Sequence, residues 1–324
     1  MIPATGLRFP YSRVLLPRTR LAYIHLRNLL TDAKRDRAAR ISGYVAISLL
    51  DELVILYLLR GEVVNATVRD AKGSHAEPIA SAIEKVPHEP EYGEVYFHEA
   101  DIEQLACMFA AEATPSEAWP DGMTPQDPAA LFPYLLSTTF DGMLEIIANE
   151  FVNYLMFKNG GVKRAFLASS HHGTVVDRVA KLFARDGRVG ELRVSRWGVP
   201  KPLPVQAPPA LVDAYRDLTA TLVQRLVEQG RESAPAIAEY ARQNLLATHP
   251  VLDGFSYSGR PTKEPLADTA ALTTAVAAWI RDVMFAAVDP DALSPDKFLR
   301  DLTWDRRHMF QSAGLFDQIP WKVT

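Results

Sequence analysis

Two stretches of this chain carry the same alternation of apolar and polar positions. Residues 43 to 66, GYVAISLLDELVILYLLRGEVVNA, lie without a gap on residues 142 to 165, GMLEIIANEFVNYLMFKNGGVKRA. Gly43/Gly142, Ile47/Ile146, Leu56/Leu155, Gly61/Gly160, Val63/Val162 and Ala66/Ala165 are identical pairs. An internal repeat of this length sets the modular plan of a protein. Each copy predicts two β-rich runs, 44–50 with 53–59 and 143–148 with 151–157, separated by the polar turns Asp51-Glu52 and Asn149-Glu150. The next turn holds Gly61 in one copy and Lys158-Asn159-Gly160-Gly161 in the other, where glycine relieves the cost of positive φ in a tight hairpin. A third strand follows over 63–67 and 162–166. Beyond it lie an amphipathic helix near 75–86 and 173–185, marked by Ile79 and Ile83 and by Val179 and Phe183, and a closing strand over 94–98 and 191–195. Gly73 aligns with Gly173, and GEVYF at 93–97 with GELRV at 190–194.

Helical spacing of Tyr23, Leu26 and Leu30, and of Leu131, Leu135 and Phe140, predicts a helix opening each copy, the second begun by an Asp127-Pro128 N-cap and N1 pair. Short hairpins make the sheets mainly antiparallel, so the class is α+β and not a doubly wound nucleotide fold. Proline-rich stretches at 113–127 and 198–209 read as stiff spacers. After the second, Leu211, Tyr215, Leu218, Leu222 and Leu226 mark a long amphipathic helix, with further helices near 234–247, 266–288 and 295–313. The plan is therefore an extended basic arm (1–20), a first α+β repeat (21–112), a linker, a second repeat (128–197), a linker, and a helical bundle with an aromatic tail (210–324).

The order helix, hairpin, strand, helix, strand, with glycine before the first strand and a G-x-V-x-x-A run after the hairpin, resembles the PATAN domain family. The matching residues are Gly43, Ile47, Gly61, Val63 and Ala66, and Gly142, Ile146, Gly160, Val162 and Ala165. The resemblance covers residues 21–112 and 128–197 and implies a non-catalytic interaction module of the kind attached to bacterial response regulators. The chain departs from that context in having no receiver domain and in the charged insertion at 34–40.

Composition adds an ordinary globular background: 48% hydrophobic and 23% charged residues, with a mean hydropathy of −0.05. A single cysteine, Cys107, excludes an internal disulfide framework and a cysteine-based zinc site. The first residues lack the apolar core of a signal peptide, and the longest apolar run, 53–59, falls short of the ~20 residues of a membrane span. A cytoplasmic location, with peripheral attachment to an inner membrane as an option, is the expectation. Charge changes the picture more. Residues 1 to 40 carry nine Lys/Arg against Asp32 and Asp36, or +7, which leaves −11 on the other 284 residues of a chain with net charge −4. A basic end on an acidic body fits an anionic partner, whether a membrane surface, nucleic acid or an acidic protein, or simply a solvated helix face beside an irregular arm; nucleic acid is not expected among the partners.

Catalytic and cofactor motifs are missing: there is no P-loop, dinucleotide fingerprint, H-E-x-x-H helix or G-x-S-x-G elbow, and no cofactor is expected. His171 and His172 sit in a polar loop, His75 in the related loop of the first copy, and Cys107 in an apolar stretch that predicts an inert thiol. The loops at His75 and His171 are the one place where a small-ligand receptor or enzyme would be sought. Contact surfaces are the better candidates: Arg8, Phe9, Tyr11, Arg13, Arg18 and Arg20 in the arm, Trp119 in the first linker, and Phe316 and Trp321 in the tail. Trp304 and Phe310 are expected in the core. These readings converge on a non-enzymatic adaptor or accessory subunit of a larger bacterial assembly, with an extrinsic place on the cytoplasmic side of an energy-transducing or photosynthetic membrane complex as one option. It would bind other protein subunits and admits a homodimer, with signalling output beside a kinase or regulator as the alternative.

Overall fold

Side chains alternate between the two faces of a strand, so a strand covered on both faces reads as a near-continuous apolar run. The hairpin strands of both copies are in that state. The structure, a computed structural model, describes residues 6–35, 41–87, 92–168, 173–184, 192–256, 263–288 and 294–323. The chain divides into two compact units, Met1–Glu77 with Ala82–Pro204, and Pro78–Ser81 with Val205–Thr324.

In chain order the first unit contains β1 (Arg13–Arg20), α1 (Leu26–Arg35), β2 (Gly43–Ser48), β3 (Leu53–Leu59), β4 (Glu62–Asp70), β5 (Gly73–Glu77), α2 (Ile79–Glu84, its first turn grouped with the second unit), β6 (Glu94–Glu99) and α3 (Ile102–Ala113). Then come α4 (Pro128–Ser137), β7 (Gly142–Ala148), β8 (Phe151–Lys158), β9 (Gly161–Phe166), α5 (Val175–Phe183) and β10 (Leu192–Trp197). The class is α+β with two antiparallel sheets, ordered β1-β6-β2-β3-β4-β5 and β10-β7-β8-β9.

The two sheets share a register. Gly43 pairs with Leu58 and Gly142 with Phe157; Leu56 pairs with Ala66 and Leu155 with Ala165. A register shift falls between Tyr57 and Leu58 in one and between Met156 and Phe157 in the other, the same place in both. Both hairpins turn on a pair of positive-φ residues, Arg60-Gly61 (54° and 81°) and Asn159-Gly160 (51° and 74°), the type I′ geometry that suits strand twist. Gly43 and Gly142 are required by close approach. A Cβ on either would collide with the backbone carbonyl of the closing strand, at His98 and Trp197 respectively.

Each sheet has an outer face against its own helices. In the first, Val45, Ile47, Val54, Leu56, Ala66, Val95 and Phe97 pack with Leu26 and Ala33 of α1 and Ala82 of α2. In the second, Leu144, Ile146, Leu155, Phe157 and Val194 pack with Leu131 and Leu135 of α4 and Val179 and Phe183 of α5. The inner faces contribute to one shared core with α3: Tyr44, Ile55, Tyr57 and Tyr96 from the first sheet, Met143, Ile147, Val152, Tyr154 and Trp197 from the second, and Leu105, Cys107 and Met108 between them.

Several expectations are corrected. Of the expected extended arm, residues 13–20 form β1 on the edge of the first sheet and Leu7 and Phe9 are buried in the shared core, so this segment packs on its own unit. The Arg8 amide donates to the Glu150 carbonyl and the Val152 amide donates to the Arg8 carbonyl, each within 2.9 Å, so this segment ties both sheets. Tyr23 lies outside the opening helix, in a 3-10 turn, and is 75% exposed. Residues 73–77 form a strand, so the expected helix over 75–86 starts at Ile79. The closing strands align two residues away from the GEVYF/GELRV match: Val95 faces Ile47 as Val194 faces Ile146. The linker 113–127 is held down by an antiparallel bridge from Glu117 to Arg196. Residues 36–40, His171, His172, Gly190 and Glu191, on which other expectations rest, lie outside the described residues.

The second unit is helical: α6 (Pro209–Glu228), α7 (Ala234–Leu245), α8 (Thr269–Ala287), α9 (Pro295–Thr303) and α10 (Arg307–Ser312). Leu211, Tyr215, Leu218 and Leu222 meet Val276, Ile280, Val283, Phe298 and Phe310 in its core. The helix expected over 295–313 is interrupted by a 3-10 turn at Trp304–Arg306. Trp304 is 68% exposed and not in the core, whereas Phe310 is buried. α8 is long and apolar enough to cross a membrane by length and composition, and most of it is buried within its own unit.

Candidate functional site

Burying a charge is costly unless it is paired, so ionisable groups inside a core mark a site worth building up. The shared core of the first unit contains such a group of residues. Arg69 is the next-to-last residue of β4, and its Nη2 donates to Glu112 Oε1 at 2.5 Å and its Nε to Oε2 at 3.2 Å. Glu112 is at the last turn of α3, with a side chain only 1% exposed. On β7, Glu145 shares the inner face with Met143 and Ile147 and is 3% exposed. Its partners are poorer: the Tyr154 hydroxyl donates at 3.4 Å, and Arg193 Nη2 stands 3.8 Å away on β10 with a half-exposed side chain. Tyr57, beside them, shares a hydrogen bond with Thr67 at 3.1 Å.

Two carboxylates therefore lie near one well-placed guanidinium. Burial raises the Glu145 carboxyl, and the negative charge of Glu112 adds to it, bringing the group up to about 7 against an opposing pull from Arg69 and Arg193. Burial likewise pushes the Cys107 thiol up to about 12, so the thiolate that would act as nucleophile or ligand is suppressed. At the other end of the core the Tyr44 hydroxyl lies 3.0 Å from the Pro10 carbonyl and 3.0 Å from His98 Nδ1. With the hydroxyl donating to Pro10, the ring accommodates it by donating from Nδ1, and burial holds His98 down to about 4. What this interior can do chemically is hold a proton at Glu145 near neutrality.

None of the sequence-predicted contact residues belongs to it except Phe9, which is 1% exposed and serves as core, not as surface. Arg8, Arg13 and Arg18 form ion pairs with Glu150 (3.1 Å), Glu99 (2.8 Å) and Glu94. Arg20 is exposed, with no ion pair among the described residues. The basic end is thus partly neutralised by its own unit. Tyr11 is 45% exposed and packs on His98 with ring centroids 4.3 Å apart. Trp119 is half-buried, donates from Nε1 to the Val194 carbonyl at 3.1 Å, and lies under the Arg196 guanidinium. In the second unit Phe316 packs against the core beneath Arg307, and Trp321 packs on the exposed Phe285. His75, on β5, pairs with Glu77 at 3.3 Å.

The interior site was readable only as an oddity: a single Glu inside the apolar strand GMLEIIA, where the first copy has Ala46. Arg69 and Glu112 carried no such signal, because only the fold brings them together. In the second unit a cleft of about 420 Å³ runs between α6 and α9, with Asp217, Arg225, Asp301, Asp305 and Arg306 on its walls and Phe298 and Phe310 at its base. Arg306 is paired with Asp217 at 2.6 Å. Among the described residues no group of three or more His, Cys, Asp and Glu is placed to hold a metal ion. No family model matches the chain, and neither the curated proteins nor the solved structures yield a match.

Proposed function

We propose that this chain is a non-enzymatic adaptor or accessory subunit, built from two copies of one PATAN-like helix–sheet module and a C-terminal helical bundle. The observation that carries the reading is where the repeated residues lie. Ile47/Ile146, Leu56/Leu155 and Ala66/Ala165 line the outer sheet faces against each copy's own helices. Gly43/Gly142 and Gly61/Gly160 occupy close backbone approaches. The duplicated information is architectural. On the inner face Tyr44/Met143, Ala46/Glu145, Ile55/Tyr154 and Tyr57/Met156 all differ, as expected of two copies that came to pack on each other through α3. With both sheet faces covered, the surfaces left for partners are helix exteriors, strand edges and the C-terminal aromatic residues.

The test is gentle affinity purification of the tagged full-length protein from membranes and soluble fraction, with mass spectrometry and chemical cross-linking. Stoichiometric recovery of other subunits is the expected result. A chain recovered only as free monomer from both fractions would overturn the reading. Contact with an anionic membrane through residues 1–40 is the weaker version, since Arg8, Arg13 and Arg18 are already in ion pairs; vesicle flotation tests it directly. Signalling output by the two modules is the second reading, favoured by their common register, and it requires co-recovery with a kinase or regulator, or a homodimer.

A further inference from the structure

Of the two buried carboxylates described in the shared core, Glu112 has a short, strong partner and Glu145 has none. Arg69 is engaged from two nitrogens by Glu112, and it reaches Glu145 by charge attraction without a hydrogen bond. The remaining groups that face Glu145 are the Tyr154 hydroxyl from β8 at 3.4 Å and Arg193 from β10 at 3.8 Å, with Tyr57 from β3 further off. A carboxylate so placed, beside a second one, is stabilised by holding a proton. Its position gives that proton a structural consequence. Glu145 is central on β7, which pairs β8 on one side and β10 on the other, and its face is the one packed towards α3 and the first sheet.

We propose that Glu145, set beside the Arg69–Glu112 pair, is a proton-operated latch: one bound proton keeps the second sheet closed on α3, and its loss loosens the seam. Ionised, Glu145 would add a second buried carboxylate beside Glu112, with the long 3.8 Å contact to the half-exposed Arg193 as its nearest cation, and the relief available is separation of the β7 face from α3 so that solvent reaches the charge. The first copy has no counterpart, because Ala46 occupies the matching register, so the device acts on one sheet only. The inference stands apart from the adaptor reading and does not need a partner.

The experiment is hydrogen exchange of the full chain from about pH 5 to about pH 9, read at the β7, β8 and α3 amides and corrected for the intrinsic pH dependence of exchange, with Glu145→Gln beside the wild type. The wild type should lose protection there at least about tenfold above neutrality, while Glu145→Gln stays closed throughout. Parallel profiles for the two proteins would overturn the proposal. Should Glu145→Gln fail to fold, the infrared carbonyl band of a buried protonated carboxyl decides on the wild type alone. Its presence at mildly acidic pH and its loss through neutrality, in step with the exchange, support the latch. Its absence, or a loss that leaves exchange unchanged, sinks it.

Discussion

At the scale of single residues, Glu145 predicts an unusual slope of stability with pH. Its carboxyl lies at about 7 in the folded chain against an ordinary 4.5, so the folded state binds the proton more tightly than the unfolded state does. Stability from this group is therefore intact below about 4.5, falls as pH rises to about 7, and is constant beyond, a loss on the order of 3 kcal/mol. Urea denaturation across that range should show the fall in the wild type and not in Glu145→Gln. A second residue-scale expectation concerns Gly43. The Cβ of Gly43→Ala would strike the His98 carbonyl across the β2–β6 pairing. Backbone on both sides must move, at a cost of about 2 kcal/mol, and a shift in urea midpoint measures it. The sequence marked Gly43 and Gly142 by repetition alone; the reason, a neighbouring strand passing too close for a side chain, is a property of the sheet.

Elements differ in how plainly their residues announce them. The central strands were legible to within two residues, because apolar side chains on both faces leave a dense run bounded by turns. β1 was not, since Pro17 and two register shifts break any alternation, as suits a strand at a sheet edge. α3 was missed because both sheets cover it, which erases the polar stripe that marks a surface helix. β5 and α5 show one position read two ways. Gly73–Glu77, GSHAE, adds a strand to β4, whereas Gly173 to Asp177, GTVVD, enters a helix. The difference is a capping box: Thr174 accepts from the Asp177 amide, and Asp177 accepts from the Thr174 amide. Thr174→Ala should remove about 1 kcal/mol of stability from α5, read as faster exchange at the first turn of α5 with β7 and β8 unaffected.

At the scale of the whole first unit, the decisive contacts are those a repeat pattern does not encode. Residues common to the two stretches pack each sheet on its own helices; what joins the sheets is α3, the unlike inner faces and the segment before β1. Here the basic N-terminal residues acquire a role other than the one their charge suggested. Arg8 bonds by its backbone to Glu150 and Val152 at the start of β8, and Phe9 inserts beside Tyr44, ring centroids 6.0 Å apart. Within a few residues the chain has moved to the edge of the first sheet, where the Ser12 amide donates to the Glu99 carbonyl at 2.9 Å. Residues 7 to 12 are thus a strap across the two sheets, and the buried ring carries most of its hold. Phe9→Ala should cost about 3–5 kcal/mol, the range for emptying a buried aromatic site, whereas Arg13→Ala, which breaks an exposed ion pair, should cost less than about 1 kcal/mol. Thermal denaturation of both variants ranks the two effects. If Arg13→Ala proved the more damaging, the segment would be held by charge; if Phe9→Ala does, the strap holds the sheets through its buried ring and the ion pairs of Arg8, Arg13 and Arg18 are secondary.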